Sequence, residues 1–118
     1  MVGQQMSPAP AGQVATPELA RALRDLLGER LTAVIAGVTD AGALRAWTRG
    51  AAPPLEAERR LRHAYEIAQL LLQHEEPESV RAWFMGSEPR LDDRSPALVL
   101  GEDPAAVARA ARAFLANG

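Results

Sequence analysis

From Leu55 onward the chain carries Ala57, Leu61, Ala64, Tyr65, Ala68, Leu71 and Leu72. This apolar stripe recurs every three or four positions over about five helical turns. Glu56, Arg59, Arg60, Arg62, Glu66 and Gln69 occupy the other sides. So wide an apolar face must be covered by other elements, and the neighbouring residues predict what those are. Thr16-Pro17-Glu18, Glu76-Pro77-Glu78, Ser95-Pro96 and Asp103-Pro104 each open a stretch with a proline where a helix tolerates it best. No alternation of apolar and polar residues is long enough to propose a strand. The expected fold is all-α, arranged around a central helix.

Before that helix, Leu19, Ala20, Leu23, Leu26 and Leu27 place a first helix between Thr16, read as its N-cap, and Gly28. Leu31, Val34, Ile35 and Val38 mark a second. Asp40 caps a third, short helix that carries Leu44 and Trp47 and ends at Gly50. Trp47 is expected in the core, tying this helix to the central one. Pro53-Pro54 is a hard break. After the central helix, Val80, Trp83 and Phe84 are the buried candidates of a short helix stopped by Gly86. Ser87 to Arg94 reads as polar and irregular. Ala97, Leu98 and Leu100 form a single turn, and Val107, Ala108, Ala111, Phe114 and Leu115 lie on a last helix. The expected organisation is a flexible Gly/Gln/Pro/Ala-rich tail over 1–15, a helix-turn-helix-like three-helix unit over 16–54, and the central helix with a short C-terminal helical unit over 55–118. A chain of 118 residues buries roughly 65% of its unfolded surface, enough for a modest core.

Composition narrows the chemistry. There is no cysteine, and all thirteen basic residues are arginine, so neither a thiolate nor a lysine can serve as nucleophile or base. His63 and His74 stand in no recognisable motif, and Asp92 and Asp93 read as loop residues rather than a hard-metal pair. There is no phosphate-cradling glycine loop. These absences argue against an enzyme, and no cofactor or metal is expected. No apolar run approaches the ~20 residues that span a bilayer, and the N-terminus has no basic start or apolar core of a secretory signal. A cytoplasmic protein with no membrane contact is the expectation.

Two kinds of partner fit what remains. Formal charge is −2, yet Arg45, Arg49, Arg59, Arg60 and Arg62 outnumber Glu56 and Glu58 in the middle of the chain. A third helix seated in a major groove would use Thr39, Arg45, Thr48 and Arg49 on DNA. Ala41, Gly42, Ala43 and Ala46 give that helix little to read bases with. In the C-terminal third, Phe84, Met85, Leu91 and Phe114 are more apolar surface than so short a segment hides, which marks a protein interface.

The order of these signals carries a resemblance. Ile35-Ala36-Gly37-Val38-Thr39-Asp40, Arg45-Ala46-Trp47-Thr48-Arg49-Gly50 and Glu58-Arg59-Arg60-Leu61-Arg62 come first; Val80-Arg81-Ala82-Trp83-Phe84, Pro89-Arg90-Leu91, Arg94-Ser95-Pro96 and Gly101 follow. Together they resemble the Xre/MbcA/ParS-type antitoxins, with the C-terminal part similar to their toxin-binding domain. The resemblance implies a type II toxin–antitoxin role, in which the chain covers the active site of a RES-domain toxin that degrades NAD. Toxin contact would fall on Arg90, Leu91, Phe114, Asn117 and Gly118. Operator DNA would be held by Thr39, Arg45, Thr48 and Arg49, and the chain would act as a homodimer or in a larger complex with toxin. A stand-alone helix-turn-helix transcriptional regulator is the alternative. Two departures stand out: Glu88 occupies a position where asparagine is common, and the Gly37–Trp47 stretch is one residue longer than usual.

Overall fold

The computed structural model describes residues 14–117. Among them there are seven α-helices and no strand, as the punctuation of the sequence predicts: α1 Thr16–Leu27, α2 Glu29–Ala36, α3 Ala41–Thr48, α4 Leu55–Leu72, α5 Pro77–Met85, α6 Pro96–Val99 and α7 Pro104–Asn117. No helix is long and apolar enough to cross a membrane. Of the expected tail, residues 1–13 lie outside the described residues.

Local chemistry explains most boundaries. Asp40 accepts the Gly42 N–H at 2.8 Å, Ser95 caps through Leu98 N–H, and Asp103 accepts from Ala106 N–H at 3.1 Å. Thr16 does not cap α1. Ala15 holds the N-cap position without a side-chain bond. The Thr16 hydroxyl instead accepts from the Arg62 guanidinium, whose other nitrogen donates to the Val14 carbonyl at 2.9 Å. The first helix is thus pinned to α4 by an arginine 46 positions away. Gly28 ends α1 and starts α2 at once, with φ +91°, a conformation that glycine reaches without a Cβ penalty. Four residues on, the buried Thr32 hydroxyl reaches the carbonyls of Leu23 (3.1 Å) and Gly28 (2.7 Å).

The central helix organises the core. Ala57, Leu61, Ala64, Tyr65, Ile67, Ala68 and Leu71 are buried, while Leu72 is only partly so. Helices α1, α2, α5 and α7 pack directly on α4; α3 packs on α1 and α2, and α6 on α2, α5 and α7. Trp47 is buried as expected, but its helix is held mainly by the first two helices and not by the central one. One continuous apolar cluster runs from Leu19 to Ala111, so the 16–54 and 55–118 segments share a single interior.

Arg60 of α4 marks the seam between these segments. A Cβ added to Gly37, the left-handed C-cap of α2 at φ +83°, would overlap its guanidinium. A Cβ at Gly101 would lie 3.0 Å from the same group. Both glycines therefore make room for one cation. Gly37→Ala is expected to lower stability by about 1–2 kcal/mol from the left-handed backbone alone, plus the displacement of Arg60. In a double-mutant cycle followed by urea denaturation, its cost should shrink in an Arg60→Ala background. Equal costs in both backgrounds would show that Arg60 does not occupy the glycine's space.

Candidate partner-binding surfaces

The stretch 87–94, irregular by its sequence, is in fact ordered around a buried acid. Glu88 is 4% exposed. Its carboxylate accepts the Trp83 indole N–H at 3.1 Å, the Arg90 backbone N–H at 2.7 Å and the Arg90 guanidinium at 3.2 Å. It caps the single 3-10 turn Pro89–Leu91, and its backbone pairs with Arg94 across the loop. An asparagine has one acceptor oxygen and no charge; the carboxylate has two oxygens and uses both. Asp92 and Asp93 follow with φ of 59° and 63°, a left-handed pair that aspartate tolerates better than most residues. Among the described residues no group of His, Asp and Glu is arranged to hold a metal.

This loop positions a surface on α7. Trp83 stacks edge-on to Phe84 at 5.4 Å and tilted to Phe114 at 6.2 Å. Between the 3-10 turn and α7 lies a shallow groove of about 260 Å³, lined by Arg90, Ala106, Arg109, Ala110 and Ala113. Arg109 makes no ion pair among the described residues. Ala106, Arg109, Ala113 and Asn117 follow one another at helical spacing, so Asn117 continues the same face. Asn117 is exposed and its amide donates to the Ala113 carbonyl at 3.1 Å.

The residues singled out for toxin contact divide accordingly. Arg90 lines this groove, Phe114 packs against Trp83, and Asn117 lies one turn beyond Ala113 on α7. Leu91 is 7% exposed and belongs to the core, so its side chain is not offered to a partner. Gly118 lies outside the described residues. Of the four apolar residues expected in excess, Phe84 and Leu91 are buried, Phe114 is partly buried, and only Met85 is well exposed. Arg109 and Glu88 were not singled out for a site. Arg109 had a signal in the small-residue run that flanks it, whereas Glu88 had only its place before Pro89.

The residues singled out for DNA divide as well. Thr39 and Arg49 are exposed. Arg45 pairs with Glu29 at 3.1 Å. Thr48 is buried; its hydroxyl donates to the Arg45 carbonyl at 2.6 Å and its own carbonyl accepts from Arg21. It has no hydroxyl proton left for a phosphate. A broad hollow of about 550 Å³ between α2 and the start of α3 has Glu29 and Arg30 at its edge and Ala33, Val34 and Val38 as its floor, an apolar floor for a nucleic-acid contact.

Comparison with known proteins identifies nothing: no protein-family model, no curated protein and no solved structure matches the chain.

Two outcomes follow from the loop. Glu88→Ala leaves the Trp83 indole and two Arg90 donors without their acceptor, and is expected to cost about 1–3 kcal/mol in urea denaturation with a change in tryptophan emission. A near-neutral result would remove Glu88 as organiser of the loop. On the outer side, Arg94 forks onto Glu102 with a bond of 2.9 Å. The hydrogen bond from Arg94, aided by its charge, holds the Glu102 carboxyl below the usual range. A depressed folded value means that the contact stabilises above the ordinary glutamate range and is lost as pH falls through the lowered value. NMR titration should show Glu102 protonating below the ordinary glutamate range, and Arg94→Gln should return it to that range.

Proposed function

We propose that the chain is a cytoplasmic antitoxin of a type II toxin–antitoxin pair. It neutralises a RES-domain, NAD-degrading toxin by laying its C-terminal unit over the toxin's active site, and it acts by binding and not by catalysis. The observation that carries the reading is the grouping of Arg90, Phe114 and Asn117. Of these three, drawn from the family resemblance, Arg90 lines the groove, Phe114 packs on Trp83 behind it, and Asn117 follows Ala113 one turn on along α7; the Trp83–Glu88–Arg90 bonds hold the loop that carries Arg90. A preformed loop of this kind loses little conformational freedom on docking, which favours tight occlusion. Arg109, which makes no ion pair among the described residues, gives the groove a forked cation suited to carboxylates or a phosphate-bearing substrate site on the toxin. Arg90, already paired with Glu88, adds the guanidinium nitrogens that pair leaves over. Leu91 acts within the core.

Repression of its own operon is the second part of the reading. The mutual packing of α1, α2 and α3 and the short 37–40 connection favour it. DNA contact then rests on Thr39, Arg45 and Arg49, without Thr48. The chain would work as a homodimer or within a larger complex with toxin.

Co-expression with a RES-domain toxin provides the test. The wild-type chain should copurify with that protein and preserve cellular NAD. Arg109→Glu should weaken the complex by about 2 kcal/mol or more while the variant melts as the wild type does. No binding and no protection by the wild-type chain would overturn the proposal.

A further inference from the structure

A second surface lies away from the α7 groove. Val34 of α2, Met85 of α5 and Leu98 of α6 are 39%, 56% and 57% exposed, although their helices pack together or share α6 as a neighbour. Val34 and Met85 line one groove with Leu31, Arg30 and Arg81, of about 390 Å³. Val34 and Leu98 line another, of about 250 Å³. The two meet at Val34, so the exposed apolar residues form one patch contributed by three helices. Single exposed apolar residues need no explanation, but a continuous patch does.

Charge selects the occupant. Arg30 and Arg81 flank the larger groove, and neither makes an ion pair among the described residues. Glu29 holds Arg45 and Glu102 holds Arg94, while Glu78, one turn before Arg81 on α5, makes no ion pair among the described residues. The chain therefore presents an apolar floor between two cations that form no ion pair among the described residues. A two-fold pairing of the face with itself would set two pairs of arginines against each other. A nucleic-acid backbone would gain from the arginines but nothing from Val34, Met85 and Leu98. We infer that this face is a docking site for an acidic amphipathic helix of a second protein. Its apolar residues, spaced three and four apart, enter the groove, and its carboxylates meet Arg30 and Arg81. Methionine suits the floor because its unbranched thioether chain adapts to the side chain that enters. The site is separate from the α7 groove and does not depend on the antitoxin reading.

The test uses the full chain and a displayed library of random peptides about four helical turns long. Enriched peptides are made with a fluorescent label and measured by anisotropy. They should carry Asp or Glu around apolar residues at helical spacing. Arg30→Glu combined with Arg81→Glu should weaken their binding by about tenfold or more, as should Met85→Glu; Arg112→Glu should leave it unchanged. All of these positions are exposed, and each variant is first shown to melt as the wild type does. Failure to enrich any peptide, enrichment without acids, or binding indifferent to these substitutions would overturn the inference. A labelled DNA duplex that binds and is released by the same charge reversals would overturn it in favour of nucleic acid. A wild-type dimer that becomes monomeric on Met85→Glu would overturn it in favour of self-association.

Discussion

Isolated helices shorter than about 12–15 residues are marginal in water, and here α2, α3, α5 and α6 have eight, eight, nine and four residues. Their persistence depends on burial against neighbours, and the 18-residue α4 supplies the surface that makes it possible. The alanines of its stripe, Ala57, Ala64 and Ala68, let other helices approach closely, while Leu61 and Leu71 fill the space between them. Arginines on the flanks of α4 then fix what the apolar stripe only attracts. Arg62 holds the entry to α1, and Arg60 occupies the space left by Gly37 and Gly101. Packing gathers the helices and these arginines set their register.

At the C-terminal end a buried acid does comparable work. Glu88 would be costly to bury alone, but the donors around it come from an indole, a backbone amide and a guanidinium close in sequence. The arrangement orders a segment with few apolar residues and leaves its cation, Arg90, facing outward. Stability and binding therefore draw on one carboxylate. The α2/α3 side has no equivalent: its cation Arg45 is satisfied by Glu29 and its Thr48 by the helix backbone.

The helices were legible because their signals are local. Asp40, Ser95 and Asp103 cap where sequence placed them, and the stripe on α4 differs from expectation only in gaining Ile67 for Leu72. Thr16 misled because its hydroxyl had a distant suitor in Arg62, which no local pattern reveals. Leu91 misled for a related reason. A lone leucine in a polar loop looks exposed until the 3-10 turn rotates it inward, and that turn depends on Glu88 meeting Trp83. The surfaces were least legible of all. Arg109 sits within an ordinary alanine-rich helix, and the patch at Val34, Met85 and Leu98 is assembled from three segments far apart in the chain.

Gly28 has a consequence for how such a chain can vary. It serves as the end of one helix and the beginning of the next, with no linker between them. One inserted residue would turn α2 by about 100° relative to α1, carrying Thr32 away from the Leu23 carbonyl and Ile35 out of the core. The elbow is therefore locked in length, although many side chains near it are free to change. The connection between α3 and α4 is the opposite case: Ala51 and Ala52 are exposed, and nothing lies within 4 Å of a Cβ built on Gly50. Related sequences should differ in length there and keep a constant count of residues from Leu19 to Ile35.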